Sequence, residues 1–218
     1  EGGAAPAPGE HVAFARQSKV GPVERVFHIY DGVFLGSEFG AVDEASVVGC
    51  GFTLVINATA GSRRVPNAFE DRGIKYVNLE LHDHVGENPV AAMETAVKEL
   101  DACKAAGGRA LVHCSAGLSR SATLVLAYLM TSCARSLADA VAVANAGRGR
   151  PVQLNASFWT AVWQLEKRLH PTLTAPTLDF TPWVVEDLTV MGFDAETVAK
   201  ALVDNGYDAT ATLEMLLG

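Results

Sequence analysis

His113, Cys114, Arg120 and Ser121 fall within twelve residues, VHCSAGLSRSAT (112–123), and their types and spacing describe one piece of chemistry. A histidine and a cysteine end a short apolar run, small residues follow, and an arginine stands six positions after the cysteine. A strand that feeds a glycine-containing loop opening a helix can hold an oxyanion. Its backbone N–H groups turn inward, and the positive end of the helix dipole faces the same point. Ser115, Ala116, Gly117, Leu118, Ser119 and Arg120 are therefore the expected phosphate-binding residues. Small side chains at 115–117 let the backbone close on the ligand, and the guanidinium fork of Arg120 can take two phosphate oxygens at once. Cys114 sits at the base of the cradle, where amides, dipole and guanidinium all favour a negatively charged sulfur. The thiolate is the nucleophilic form of cysteine, so attack on the phosphorus of a phosphate ester follows without a metal. A nucleotide-binding P-loop is excluded, because no Gly-Lys-Ser/Thr ends the loop.

The flanking segments supply what such a loop needs. FHIYDGVFLG places Asp31-Gly32 between two apolar runs, a tight hairpin signal. FTLVIN (52–57), KYVNLEL (75–81) and RALVHC read as strands. Apolar residues at helical spacing run from Pro89 to about Ala106 and stop at Gly107-Gly108. A helix begins within SRSATLVLAYLMTSC, and two more fit 136–147 and 155–169. Strands alternating with helices imply an α/β layered fold with a central, mostly parallel sheet.

A departing alkoxide or phenoxide must be protonated, so a carboxylic acid has to reach the cradle. Of Asp71, Glu80, Asp83, Glu87 and Asp101, Asp101 is mid-helix and Glu80 is within a strand. Asp83 directly follows a strand, in the polar loop HDHVGENP, and is the preferred acid, with Glu87 as second choice. His82 and His84 flank it without the further ligands a metal site needs, so neither a metal nor another cofactor is expected. Cys50, Cys103 and Cys133 have no neighbouring arginine or glycine loop and read as structural.

HCSAGLSRSAT resembles the signature loop of the cysteine-dependent protein tyrosine phosphatase superfamily, in its dual-specificity branch. IYDGVFLGS, LVINAT and RPVQLNASFWTAVWQLE extend the likeness over about residues 24–168. The resemblance implies a three-layer phosphatase fold and a phosphocysteine formed on Cys114. Arg120 would stabilise the transferring phosphoryl group, Ser121 would help the thiolate leave, and His113 would support the Cys114 backbone. It also agrees with Asp83 as acid, then base. The compact domain implies a shallow cleft that accepts phosphotyrosine and phosphoserine/threonine on proteins. Lipid-directed members tend to place lysines inside the loop, where this chain has Ala116 and Leu118. The alternatives are a phosphatase for a lipid, glycan or RNA phosphate, and a non-catalytic adaptor for phosphorylated and ubiquitinated partners.

The rest of the 218 residues divides around this domain. The net charge is −8, with 49% of residues hydrophobic and 19% charged. That argues against a nucleic-acid partner, which needs a basic footprint. Cysteine usage fits a reducing compartment. No run is long and apolar enough to span a membrane. With no charged-then-apolar leader, the expected location is cytoplasmic, with the nucleus as a second compartment. Residues 1–21, rich in Gly, Ala and Pro, read as a flexible leader, 22–169 as the phosphatase domain and 170–181 as a linker with several prolines and threonines. Residues 182–218 read as three short helices burying Leu188, Val198, Leu202, Leu213 and Leu216. LTVMGFDAETVAKALVDNGYDATATLEMLL is similar to ubiquitin-associated (UBA) domains. That likeness nominates Met191, Gly192, Phe193, Leu216 and Leu217 as ubiquitin contacts, and as a separate unit the tail is expected to be dispensable for turnover.

Overall fold

The computed structural model of the chain describes residues 25–59 and 65–218. The flexible-leader reading of residues 1–21 lies outside them. Two strands, β1 (Val26–Tyr30) and β2 (Val33–Gly36), form the expected hairpin. Asp31 and Gly32 both take positive φ (38° and 80°), the backbone that a tight two-residue turn between twisted strands demands. Two four-residue helices follow, α1 (Glu38–Ala41) and α2 (Glu44–Val47), the latter capped by the Asp43 carboxylate on Ser46 N–H. Then come β3 (Leu54–Asn57), β4 (Lys75–Asn78), α3 (Val90–Ala105), β5 (Ala110–His113) and α4 (Arg120–Thr131). α5 (Leu137–Arg148) and α6 (Ala156–Leu169) complete the phosphatase-like part. The sheet order is β1-β2-β5-β3-β4, parallel everywhere except at the β1–β2 hairpin.

β5 is the central strand, and its residues alternate between two apolar layers. Leu111 packs with Phe34, Val47, Phe52 and Val55 under the short helices, while Ala110 and Val112 face the larger layer of α3 to α6. Burial on both faces is why the strand reads as a continuous apolar run. α4 is buried from Arg120 to Met130, the pattern of a core helix enclosed on all sides. The loop between them is held by its neighbours: Glu38 N–H donates to Ser115 O (3.0 Å) and Gln153 N–H to Leu118 O (3.0 Å).

The tail forms three helices, as expected: α7 (Thr181–Val190), α8 (Ala195–Asp204) and α9 (Ala209–Leu217). Leu188, Val198 and Leu202 are fully buried among them, and Leu213 and Leu216 pack alongside. They do not stand apart from the rest. Phe180, Val184 and Leu188 join the same apolar cluster as α4 and α6. Trp159 of α6 stacks on Phe180 (5.8 Å between rings) and Trp183 (4.9 Å). Polar ties complete the seam: Trp163 Nε1–H donates to Gly206 O (3.0 Å), Ala209 N–H to Thr160 Oγ1 (2.8 Å), and Ala156 N–H to Asp187 Oδ2 (2.7 Å). The connecting segment is anchored too, since fully buried Glu166 accepts from Thr177 N–H (3.0 Å) and Leu137 N–H (2.7 Å).

Candidate active site

Cys114 is 1% exposed and lies at the floor of an open cleft of about 440 Å³. Two donors point at its sulfur, Gly117 N–H at 3.2 Å and Ser121 Oγ at 3.1 Å. Gly117 adopts φ +69°, and a Cβ there would meet Gly36 O at 2.7 Å, so only glycine lets the loop turn this close to the end of β2. Among the described residues, no protein carbonyl accepts from the amides of Ser115, Ala116, Leu118 or Ser119. These amides at the mouth of α4 are the donors an oxyanion needs. Ser119, at the N-cap of α4, does not cap its own helix. Its hydroxyl donates instead to Asp83 Oδ1 at 2.7 Å.

Arg120 opens α4 and is 7% exposed. Its Nη2 donates to Ser115 Oγ at 3.0 Å, and its Nε lies 3.6 Å from Asp83 Oδ2. The fork is thus held from both sides across the cleft. Asp83 lines the same cleft and is fixed by a second donor, Asn155 Nδ2 at 2.9 Å. Asn155 also caps α6, its Oδ1 accepting Phe158 N–H at 3.0 Å. One amide therefore satisfies a helix terminus and positions the candidate acid. Glu87, the second choice, faces His84 (3.7 Å) and is not among the cleft residues. Asp101 accepts Ser132 Oγ, away from the cleft. His82 and His84 stack on each other at 6.0 Å.

His113 is 1% exposed, with its ring beside the Cys114 backbone. Burial pushes the imidazole down to about 4, against the opposing pull of the Cys114 backbone and with a further push from the Arg120 charge. The ring is therefore neutral at physiological pH. Below about pH 6.5 the unfolded chain binds a proton that the native chain refuses, so stability falls from there down to about pH 4 and levels off beneath it. Roughly 3 kcal/mol is lost across that window. Urea unfolding of the unmodified chain and of His113→Asn at pH 7 and pH 4.5 should show most of this slope missing in the variant; equal slopes would refute the linkage. Burial acts on the other cysteines in the opposite sense to a nucleophile's needs, raising the thiols of Cys50 and Cys133.

Three residues of the cleft wall carried no signal in the sequence reading: Trp183, Glu186 and Asp187, all on α7. Asn155 was equally unforeseen, although an Asn directly before an apolar helix is a capping signal that could have directed attention to it.

A mostly parallel sheet with a buried cysteine at the base of an amide-lined loop defines a class of protein, the cysteine-dependent phosphatases. Residues 33–168 match the family model described as "Dual specificity phosphatase, catalytic domain". The chain belongs to that family. It is 35% identical to mouse dual specificity protein phosphatase 26 over 149 residues, 67% of this chain and 70% of that protein. Identity to human dual specificity protein phosphatase 2 is 37% over 149 residues, 68% of this chain and 45% of that protein. Among solved structures, human DUSP28 superposes with a TM-score of 0.61 at 29% identity, over 70% of this chain and 98% of that one. A mouse dual specificity phosphatase complexed with zinc tungstate shares the fold with a TM-score of 0.63 at 24% identity, over 72% of this chain and 96% of that one. Among the described residues, no helix is long and apolar enough to cross a membrane.

Proposed function

We propose that the chain hydrolyses phosphotyrosine and phosphoserine/threonine esters on proteins through a phosphocysteine. The observation that carries this is the convergence of Cys114, Arg120 and Asp83 on one cleft, with Gly117 N–H and Ser121 Oγ aimed at the sulfur. The Cys114 thiolate attacks phosphorus, and the bond to the ester oxygen breaks. Asp83 gives its proton to that oxygen. Ser119 and Asn155 both donate to Oδ1, so the proton is carried on Oδ2, which faces Arg120 Nε at 3.6 Å until the phosphoryl group takes up the guanidinium. Water then attacks the phosphocysteine, Asp83 takes up a proton from it, and the Ser121 hydroxyl supports the sulfur as it leaves with the electron pair. Arg120 and the free amides stabilise the charge on the equatorial oxygens in both steps.

The acid is tested by leaving group. Asp83→Asn should slow release from a phosphoseryl peptide by about 10²-fold or more, and from a nitrophenyl phosphate far less, because a good leaving group needs no proton. An equal loss on both would remove Asp83 from this role.

The tail supports a second reading, a UBA-like unit (residues 182–218) after a linker (170–181). Met191 and Leu217 are 52% and 69% exposed, while Phe193 and Leu216 pack partly into the core. Gly192, at φ +99°, turns the chain between Met191 and Phe193. Exposed apolar side chains on so small a unit are costly unless used. Ubiquitin contact through Met191 and Leu217 should therefore shift amide resonances of labelled ubiquitin on titration with the full chain. An unchanged spectrum removes the reading.

A further inference from the structure

Beyond the loop itself, the catalytic cleft is lined by two sets of residues. Asp83 and the Gln153–Asn155 segment contribute one set, and Trp183, Glu186 and Asp187 of α7 the other. We propose that α7 is the specificity wall of this phosphatase, with Trp183 and Glu186 selecting phosphopeptides that carry Lys or Arg beside the phosphorylated residue. The inference rests on the reaction read above and names the substrates that reaction takes.

Charge balance is the first argument. The cleft residues include one cation, Arg120, and three carboxylates, Asp83, Glu186 and Asp187. A phosphate seated on the loop occupies Arg120 and the amides. Among the described residues of the cleft, the charged groups left to meet whatever flanks the phosphate are carboxylates. Asp187 lies within reach of both other acids: burial chiefly raises its carboxyl above its ordinary range, the Ala156 N–H bond opposes this, and the charges of Glu186 and Asp83 add to it.

Availability is the second. Asp83 is spent on Ser119 and Asn155, and Asp187 on the first turn of α6. Glu186 is exposed and, among the described residues, makes no hydrogen bond or ion pair. It is the carboxylate open to a substrate cation. Trp183 beside it is half-buried and fixed by stacking on Trp159 (4.9 Å, 18° between planes). A fixed indole next to a free carboxylate suits the aliphatic stem and charged head of Lys or Arg.

Rigidity is the third. Val184 and Leu188 on the inner face of α7 are fully buried, and Asp187 bonds Ala156 N–H at 2.7 Å. The wall is built into the fold, against the expectation that the tail is dispensable for turnover. The same carboxylates disfavour polyanionic substrates such as inositol polyphosphates.

The test uses the full chain and two phosphotyrosyl peptides that differ only by Lys or Glu at the adjacent position. The unmodified chain should prefer the Lys peptide by about 5-fold in kcat/KM, the scale of one exposed charge pair. The preference should lie in KM, as expected of an interaction formed before the chemical step, and shrink as salt is raised. Glu186→Lys, a surface exchange that leaves the α7 core contacts in place, should erase or invert the ratio. A purely structural role for α7 would not make the ratio follow charge. Turnover with the same ratio in both proteins overturns this inference alone. If the unmodified chain turns over neither peptide, the reaction and its specificity wall fall together.

Discussion

Cys114→Ser should lower phosphate release by at least about 10⁴-fold while leaving phosphopeptide affinity within a few-fold of the unmodified chain. The substitution changes one atom in a site where nothing else has to move. Both neighbours of the sulfur, Gly117 N–H at 3.2 Å and Ser121 Oγ at 3.1 Å, are placed as donors. They are placed to stabilise a negative charge on that atom. A serine hydroxyl must first lose its proton, and neither neighbour is a base. The amides and Arg120 remain, so the phosphate should still bind. Phosphate release and fluorescence anisotropy on the same labelled peptide separate the two effects. Cys103→Ser in α3 is the matched control, with turnover expected within 2-fold. Turnover by Cys114→Ser within 10-fold of the unmodified chain would remove the sulfur from the chemistry. Phosphopeptide binding without any turnover by the unmodified chain would make the protein an adaptor.

What could be read in the sequence divides by physical cause. The candidate loop stood out because an oxyanion cradle needs small residues, a glycine and an arginine at set distances within one turn of chain. The β1–β2 hairpin was legible because Asp31-Gly32 meets a backbone requirement that few pairs meet. α1 and α2, four residues each, were not, since less than two turns leaves no periodicity to detect. β4 is an edge strand shorter than KYVNLEL suggested: only Lys75–Asn78 pair with β3. The seam between tail and α6 was missed for a different reason. Its polar ties run to backbone groups at Ala156, Gly206 and Ala209, which have no side-chain signature. A signal was available in α6 itself, where Trp159, Val162 and Trp163 are almost wholly buried. A helix apolar over more of its circumference than one neighbouring layer requires has a second partner to find. For the same reason Glu186 and Trp183 could not be assigned to the cleft from sequence. More than sixty positions separate α7 from the loop it faces, and only the docking brings them together.

Arg120→Lys should cost about 10³-fold in turnover although the positive charge is kept. The side chain is 7% exposed and its planar fork is constrained at two points, Nη2 by Ser115 Oγ at 3.0 Å and Nε facing Asp83 Oδ2 at 3.6 Å. That leaves the guanidinium plane fixed relative to the sulfur. As the phosphoryl group moves toward Cys114, its equatorial oxygens flatten into the plane that two parallel N–H donors can hold. A lysine ammonium is a single point and can meet one oxygen, so the lost interaction belongs mainly to the transition state. kcat and kcat/KM should then fall together, and KM should change little. Losing the bidentate grip alone predicts this pattern; misfolding predicts instead a fall in active-site concentration, which burst titration and the unfolding midpoint would reveal. Arg120→Ala, which removes charge as well as geometry, should lose more than the lysine variant and weaken phosphate binding too. A lysine variant within 3-fold of the unmodified chain would show that charge alone suffices at this position, and the fork would have no part in the catalytic step.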